Sequence, residues 1–347
     1  MKLSRRQFVL QGGALALSFA VPWFCKAATN SGPPSLLAAW QLPTGAYQAG
    51  VLTPDFVIEQ AVNLPTRPHG LMHLRGHEYL VVARRPGDWL LRLNIQTGGT
   101  ARLWQEEDRH LNGHSALHGD LLFTTETDVL TGQGLLGVRH SKTFERIDVW
   151  PTLGHDPHEM LVLPGGLLGL EEPFLLVANG GIQTHADMGR AQLNPLSMDS
   201  SVVAMSPQTG KVLKQWTLPD SRLSLRHMAL HPSGVVGIAM QAHHAQKADQ
   251  GAAPVLALLD ESGLRPVVES MDVKGYAGDI AATSEGFVVS CTKNDSVGQF
   301  DVKGKLLSTG HAKAACALAA KGNQVWLGHQ AGEHGGLLTL DNHWLLV

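Results

Sequence analysis

The stretch Gly113-His-Ser-Ala-Leu-His118, followed by Leu-Leu-Phe-Thr-Thr-Glu-Thr-Asp at 121–128, contains the pattern that decides the fold. A turn that carries a histidine precedes a short apolar run. The same order of features returns at Gly154-His-Asp-Pro-His-Glu-Met-Leu161 and Leu175–Asn179. Short apolar runs between turn residues are typical of β-strands. The recurrence predicts a repeat protein built from β-rich units.

Six such units can be aligned along the chain by the residue that opens each of them. The aligned positions are His69, His114, His158, His227, Asp279 and Cys316. Their spacings are 45, 44, 69, 52 and 37 residues, which centre on the period of a four-stranded propeller blade. Two polar insertions, Gly180–Ser200 and His243–Ala253, explain the two longest spacings.

Three further strands are predicted before the first unit, at Leu36–Leu42, Tyr47–Leu52 and Phe56–Val62. Together with the six units they predict an all-β protein of the WD40/YVTN-like type. It would be a β-propeller of about seven four-stranded blades, forming a single domain over 36–347. A closed ring leaves few exposed sheet edges, which is a physical reason for the repetition. The C-terminal His343–Val347 could complete either its own blade or the N-terminal one.

Composition agrees with a large folded domain. Of the 347 residues 44% are apolar and 16% are charged, which excludes a disordered or fibrous chain. The 38 glycines and 18 prolines indicate many turns.

The first 27 residues resemble an export signal. Arg5-Arg6 precedes an uncharged segment from Val9 to Val21, and Cys25-Lys26-Ala27 offers a cleavage site. A pair of arginines before a moderately apolar segment is typical of twin-arginine signals. We therefore expect residues 1–27 to be removed and 28–35 to be a linker. The folded protein would lie in the periplasm, without stable membrane insertion after cleavage.

Removal of this segment leaves 23 basic and 30 acidic residues, a net charge of −7. Such a surface argues against nucleic acid as a partner. Cys291 and Cys316 remain, each within an apolar run, and we expect buried free thiols rather than a disulfide.

Four successive units place a histidine at the same register: His69, His114, His158 and His227. Equivalent positions on innermost propeller strands meet near one end of the central channel. Imidazole is a ligand for first-row transition metals, so the four side chains are candidate ligands for iron or copper. Two other interpretations stay open: histidines with a structural role between blades, as in WD repeats, and a metal-free substrate pocket.

Polar residues expected near the channel mouth form a second candidate set. As ligand-binding residues the sequence suggests Glu126, Asp128, Glu159, Asn179, His185, Arg190 and Arg226. A non-catalytic binding protein is the first hypothesis. The alternative is a metal-dependent enzyme, either hydrolase or lactonase-like or an oxidoreductase, with Glu126 or Glu159 as general base. The predominance of imidazoles argues against a calcium site of the lactonase type.

Gly132-Gln-Gly134-Leu-Leu-Gly137 matches a dinucleotide-binding pattern in its letters. The residues that follow are β-like, whereas the pyrophosphate site needs the N-terminus of a helix. A hairpin turn is expected here instead.

The chain resembles the bacterial family designated domain of unknown function 1513. The resemblance covers nearly all of the chain after the signal. It is carried by Gly113-His114, Thr125-Glu-x-Asp128, Gly132-x-Gly134, Gly154-x-x-Pro-His-Glu159, Val177-Ala-Asn-Gly-Gly-Ile182, Thr184-His185 to Arg190, Leu193-Asn194 and Ser224-Leu-Arg-His227. It implies a twin-arginine-exported periplasmic β-propeller that accompanies imelysin-type iron-uptake proteins. Ala314 and Ala315 depart from the acidic residue that the family pattern suggests before Cys316. A ligand role for Cys316 is therefore doubtful.

Overall fold

The computed structural model describes residues 35–105, 107–183, 192–194, 197–268, 273–329 and 338–347. These residues form 26 strands and one short helix, α1 (Lys247–Ala252). No helix within these ranges is long and apolar enough to cross a membrane. The predicted signal (1–27) and nearly all of the predicted linker (28–35) lie outside the described residues.

Six sheets contain four strands each, and within each sheet neighbouring strands are antiparallel. Blade 1 consists of β1 (Leu36–Gln41), β2 (Tyr47–Leu52), β3 (Ile58–Leu64) and β26 (Thr339–Leu346). Blade 2 consists of β4 (Pro68–Arg75), β5 (Glu78–Ala83), β6 (Trp89–Asn94) and β7 (Thr100–Trp104). Blade 3 consists of β8 (Arg109–His118), β9 (Leu121–Asp128), β10 (Gly134–His140) and β11 (Arg146–Pro151).

The remaining sheets follow in chain order. Blade 4 consists of β12 (Pro157–Leu163), β13 (Phe174–Asn179), β14 (Ser201–Met205) and β15 (Val212–Thr217). Blade 5 consists of β16 (Leu223–Leu230), β17 (Val236–Ala242), β18 (Leu256–Asp260) and β19 (Gly263–Pro266). Blade 6 consists of β20 (Asp279–Ala282), β21 (Gly286–Cys291), β22 (Ser296–Asp301) and β23 (Leu306–His311). A seventh sheet contains β24 (Ala315–Lys321) and β25 (Gln324–His329).

The prediction of an all-β propeller is confirmed, whereas the prediction of about seven four-stranded blades is not. Within the described ranges there are six four-stranded blades, and the seventh sheet is two-stranded. The predicted turn at Gly132–Gly137 is a hairpin between β9 and β10.

The ring is closed by the C-terminal strand. β26 pairs with β1 and is the innermost strand of blade 1, so Leu36 lies opposite Leu346. It also contacts β4 on one side and β24 on the other. Of the two arrangements that the sequence leaves open, the chain adopts the one in which its end completes the N-terminal blade.

The core lies between the blades, because each sheet is covered on both faces. Along β13, which is buried throughout, Leu175 and Val177 pack towards blade 3. Leu176 and Ala178 pack towards blade 5. Because side chains alternate along β13, the strand contributes to two cores, which explains the uninterrupted apolar run at 174–178.

Candidate functional site

A β-bulge occurs on the innermost strand at each histidine of the predicted register. On β4 three steps from Pro68 to Leu71 stand opposite two steps from Ala83 to Val81, so one extra residue is inserted beside His69. Similar irregularities enclose the other three histidines. A bulge re-aims a side chain out of the pleat. Histidines of different blades thereby converge.

Two glycines allow the inner strands of blades 2 and 3 to approach closely. A Cβ at Gly70 would lie 2.1 Å from the carbonyl oxygen of Gly113. A Cβ at Gly113 would lie 2.5 Å from the His69 ring, and Gly113 has a φ of 111°. Only glycine meets both conditions at residue 113, and this packing sets His69 against the ring of His114, with 4.7 Å between centroids.

The structure brings the four predicted histidines together. His69, His114, His158 and His227 are all buried, and each offers one ring nitrogen to a group whose members lie within 4.8 Å of one another. The Nε2 atoms of His158 and His227 are 2.8 Å apart. Residues separated by up to 158 positions in the sequence thus form a single cluster.

A fifth imidazole, His343 on β26, completes this imidazole cluster. Its ring centroid lies 4.5 Å from that of His227, 4.8 Å from that of His69 and 5.1 Å from that of His114. Sequence reasoning missed His343 as a site residue, because its strand belongs to blade 1 through pairing with residues more than 300 positions earlier. His343 reaches the cluster because β26 closes the ring by pairing with β1.

The last two aligned positions behave differently from the histidines. Asp279 lies beside the cluster, with carboxylate oxygens 3.8 Å from Nδ1 of His227 and 3.5 Å from Nδ1 of His343.

Cys316, on β24, packs in the apolar core against blade 1, with Sγ 3.8 Å from the carbonyl oxygen of Asp341. Burial raises the pKa of its thiol, and also raises the pKa of Cys291 to about 12. Both cysteines are free and buried, as expected.

A second carboxylate, Glu159, reaches the cluster from the other side of His158. Its Oε1 is 3.9 Å from Nδ1 of His114, and its Oε2 accepts a hydrogen bond from the backbone N–H of Met228. Carboxylates beside the Nδ1 edge of an imidazole orient the ring and leave Nε2 available as a ligand. Asp279 occupies a position of this kind.

Burial keeps four of the imidazoles neutral. It is the main cause that lowers the pKa of His69, His114, His158 and His227 well below the usual value. Neighbouring imidazoles add to the effect, together with Arg84 for His69 and Arg226 for the other three. A neutral imidazole retains a lone pair, which a metal ligand requires.

The pKa values of His343 and Glu159 are raised instead. Burial lowers the pKa of His343, but the carboxylates of Asp279, Glu159 and Asp341 outweigh it and the net pKa is raised. Burial raises the pKa of Glu159 to about 8, against the opposing effects of His343 and the Met228 amide. These two residues therefore hold their protons more strongly than the four neutral imidazoles.

Several nitrogens of the cluster are buried without a hydrogen-bond partner among the described residues. They are both ring nitrogens of His69, Nε2 of His114 and of His343, and Nδ1 of His158 and of His227. A structural histidine between blades would have its nitrogens satisfied, since an unsatisfied buried polar group is costly. The arrangement fits a bound cation better than a purely structural role.

The distances also fit a metal ion. Four imidazole nitrogens at about 2.0–2.1 Å from a tetrahedral zinc ion lie about 3.3 Å from one another. The four nitrogens span at most 4.8 Å, so the most distant pair would have to approach by about 1.5 Å, which small side-chain rotations can supply. Five imidazoles without a direct carboxylate suit iron, copper, zinc or nickel rather than calcium.

A pocket of about 240 Å³ opens above one side of the cluster. His69, His158 and His227 form its floor. Arg226, from the predicted ligand-binding set, forms part of its wall and is ion-paired with Asp156. Asp156 also pairs with Arg85, so one carboxylate links blades 2 and 5 through the loop before β12.

Other residues of the predicted ligand-binding set lie elsewhere. Glu126 is fully buried on β9, where it pairs with Arg139 at 2.7 Å instead of reaching the channel mouth. Asp128 accepts hydrogen bonds from the backbone N–H groups of Leu130 and Thr131 and shapes the β9–β10 turn. Asn179 is buried and donates to the Thr152 carbonyl oxygen and to Ser201 Oγ.

The expectation that Glu126, Asp128 and Asn179 gather at the channel mouth is therefore corrected, because each is engaged within its own blade or turn. His185 and Arg190 lie outside the described residues.

Substituting glutamine for Glu126 is expected to lower the free energy of unfolding by about 3–5 kcal/mol, because it leaves the buried Arg139 guanidinium without its carboxylate. Metal binding by the folded fraction should not change. Denaturant titration and metal titration of Glu126→Gln measure the two effects. The exposed Glu145→Gln is the matched control. Loss of metal affinity in a folded Glu126→Gln protein would contradict the purely structural role assigned to Glu126.

Comparison with protein families identifies residues 62–346 with the family described as "Protein of unknown function (DUF1513)". The chain belongs to this family. This DUF1513 protein matches no curated protein sequence. Its fold is similar to that of a chain of Kuenenia stuttgartiensis hydrazine synthase, with a TM-score of 0.61 and 12% identity. That similarity covers 92% of this chain and 99% of the other. A chain of a mitotic checkpoint complex gives a TM-score of 0.53 and 11% identity, over 91% and 81% of the two chains. At these identities the similarities concern the propeller fold alone.

Proposed function

We propose that this DUF1513 protein is an exported, non-catalytic binding protein that holds one first-row transition-metal ion on its imidazole cluster. The observation that carries the proposal is the convergence of four buried imidazoles, each with a nitrogen within 4.8 Å of the others. His343 supplies a fifth ring at the same place. When bound, the ion would take one ring nitrogen from each of the four histidines.

The proposal includes a role in iron acquisition in the periplasm. It is supported by the paired arginines at the start of the chain and by the resemblance to proteins that accompany imelysin-type iron-uptake partners. Iron is the first candidate ion and copper the second, because both accept imidazole ligands. The channel mouth then acts as a binding surface and not as a site of turnover.

Elemental analysis of protein exported through its native pathway tests this function. We expect about one equivalent of iron or copper in the wild-type protein and a negligible amount in His114→Ala/His158→Ala. Both proteins should show the same circular dichroism spectrum. Equal, negligible metal in both, also after reconstitution with ferrous, ferric and cupric ions, would reject the metal-binding function.

The substitution Asp279→Asn is expected to weaken metal binding about 10- to 100-fold, because Asp279 faces Nδ1 of both His227 and His343. Glu159→Gln is the informative comparison. Since the pKa of Glu159 is raised to about 8, its carboxyl is already largely protonated at pH 7, and glutamine should change the affinity little. Competition titrations at pH 7 measure both variants. Equal effects of the two substitutions would contradict the assigned roles.

A second candidate function, a metal-dependent hydrolase or oxidoreductase, is favoured by one observation. Glu159 lies beside the cluster with a pKa near the pH at which a general acid or base works best. In this alternative Glu159 moves the proton, and Glu126 has no part because it is buried against Arg139. Turnover that depends on metal, that follows ionisation near pH 8 and that Glu159→Gln abolishes would favour the enzyme. No turnover across hydrolase and oxidase substrate panels would favour the binding protein.

A further inference from the structure

The pocket above the imidazole cluster is strongly cationic. Its wall holds five basic side chains: Arg67, Arg84, Arg85, Arg226 and Lys293. The described residues that line it include no aspartate or glutamate. Such a wall is unusual for a protein whose predicted mature form carries a net negative charge.

Three of the guanidiniums in this wall share two carboxylates behind it. Asp156 is shared between Arg85 and Arg226, and Asp341 pairs with Arg67. Two carboxylates therefore serve three guanidiniums. The ammonium of Lys293 lies 3.7 Å from the ring centroid of Tyr276, a contact that leaves its charge uncancelled.

Arg226 gives an independent sign of an absent partner. It is 3% exposed, and its Nε atom is buried without a hydrogen-bond partner among the described residues. Its NH1 binds Asp156. A buried guanidinium with an unsatisfied N–H in the wall of a pocket is a donor for an oxyanion.

We propose that this pocket binds a small oxyanion, a polycarboxylate or a phosphate, directly above the metal. The part of this inference that concerns the metal rests on the proposed function. The pocket volume of about 240 Å³ suits a small anion. Because three of the imidazoles form the floor, an anion held by the arginines has an oxygen next to the ion. The protein thus takes up the metal together with an anionic chelator, and each ligand increases the affinity for the other.

The test measures anion binding to metal-free and metal-loaded protein separately. Citrate and inorganic phosphate are titrated calorimetrically into the metal-free wild type, into Arg85→Gln/Lys293→Gln and into the single variant Lys293→Gln. Lys211→Gln/Lys321→Gln is the control, since both lysines are exposed and its charge change is the same. Thermal unfolding verifies that each variant is folded.

We expect one of the two anions to bind the metal-free wild type and the control equally. Binding should weaken at least tenfold in the double variant, less in Lys293→Gln, and generally with added salt. The preferred anion distinguishes the polycarboxylate from the phosphate. Absence of binding by both anions, or equal binding by wild type and double variant, would overturn the proposal whether or not metal binds.

The coupling is measured with protein loaded with one equivalent of Zn²⁺. We expect at least a tenfold increase in anion affinity, with the zinc retained after dialysis. Unchanged affinity, or removal of the zinc by citrate, would overturn the coupling. Failure of Zn²⁺ itself to bind would count against the proposed function, while the metal-free titrations still decide anion binding.

Discussion

The double substitution His158→Ala/His227→Ala is expected to lower the affinity for a transition metal at least ~100-fold. The Nε2 atoms of these residues are 2.8 Å apart at the centre of the cluster, so the double substitution removes two ligands from one place. Outer-shell changes alone typically cost 10- to 100-fold in affinity, and loss of two direct ligands exceeds that. Titration against a chelator of known affinity, at pH 7.5, measures the loss.

His73 and His118 provide the matched control. They lie on β4 and β8, four residues beyond His69 and His114, and neither belongs to the group of converging ligand nitrogens. The His73 ring contacts the carbonyl oxygen of Gly76 instead. His73→Ala/His118→Ala should bind metal as the wild type does. If this control lost as much affinity as His158→Ala/His227→Ala, binding would depend on exposed histidines and the cluster would have no special role.

The convergence of the four histidines could be predicted from sequence because repeats convert distance along the chain into equivalence in space. Once His69, His114, His158 and His227 are aligned, propeller geometry brings their strands to one axis. The prediction required no knowledge of side-chain contacts. It depended on the repeat register, which a two-residue error in any unit would have destroyed.

His343 could not be predicted in the same way, since its place depends on a pairing that the repeat does not specify. The strand β26 has no turn-and-histidine entry of its own type, and it joins β1 across nearly the whole chain. The bulges were also invisible in the sequence. They depend on close contacts between strands, such as that between Gly113 and the His69 ring, and these contacts exist only in the folded structure.

The misplacement of Glu126 has a different cause. Thr-Glu-Thr-Asp at 125–128 has the polarity of a loop, yet β9 continues through it to Asp128. The buried partner that makes this possible is Arg139, on the neighbouring strand β10. A polar residue in a strand gains its partner from the fold, so composition alone assigns it to the surface.

Metal-free protein is expected to lose stability steeply as the pH falls below about 6.5. Above that pH the four cluster histidines are neutral in both the folded and the unfolded chain. Below it the unfolded chain binds protons first, because burial lowers the folded pKa of each of the four. His243 acts in the same direction, since burial, Arg226 and Lys293 lower its pKa to about 4.

Glu159 acts in the opposite direction, because the folded protein binds a proton there that the unfolded chain releases. With its pKa raised to about 8, the folded protein holds a proton there from about pH 8 down to the unfolded value of 4.5. His343, whose pKa is raised, is protonated in both states below pH 6.5 and leaves the slope unchanged there. Below pH 6.5 the unfolded chain therefore binds more protons than the folded one, and the free energy of unfolding falls as the pH falls.

Urea titrations of metal-free protein at pH 7.5, 6.5 and 5.5 measure how the free energy of unfolding depends on pH, and His69→Gln/His114→Gln should make this dependence weaker. These variants remove two of the groups that the unfolded chain protonates first and leave Glu159 and His343 in place. A wild-type protein as stable at pH 5.5 as at pH 7.5 would show that the imidazoles are not buried as a neutral cluster. Saturating metal should remove most of the pH dependence down to the pH at which protons displace the ion, since a bound cation holds the same nitrogens unprotonated. A cluster of this composition thus destabilises the empty protein in acid, and the proposed metal ion would stabilise the folded state.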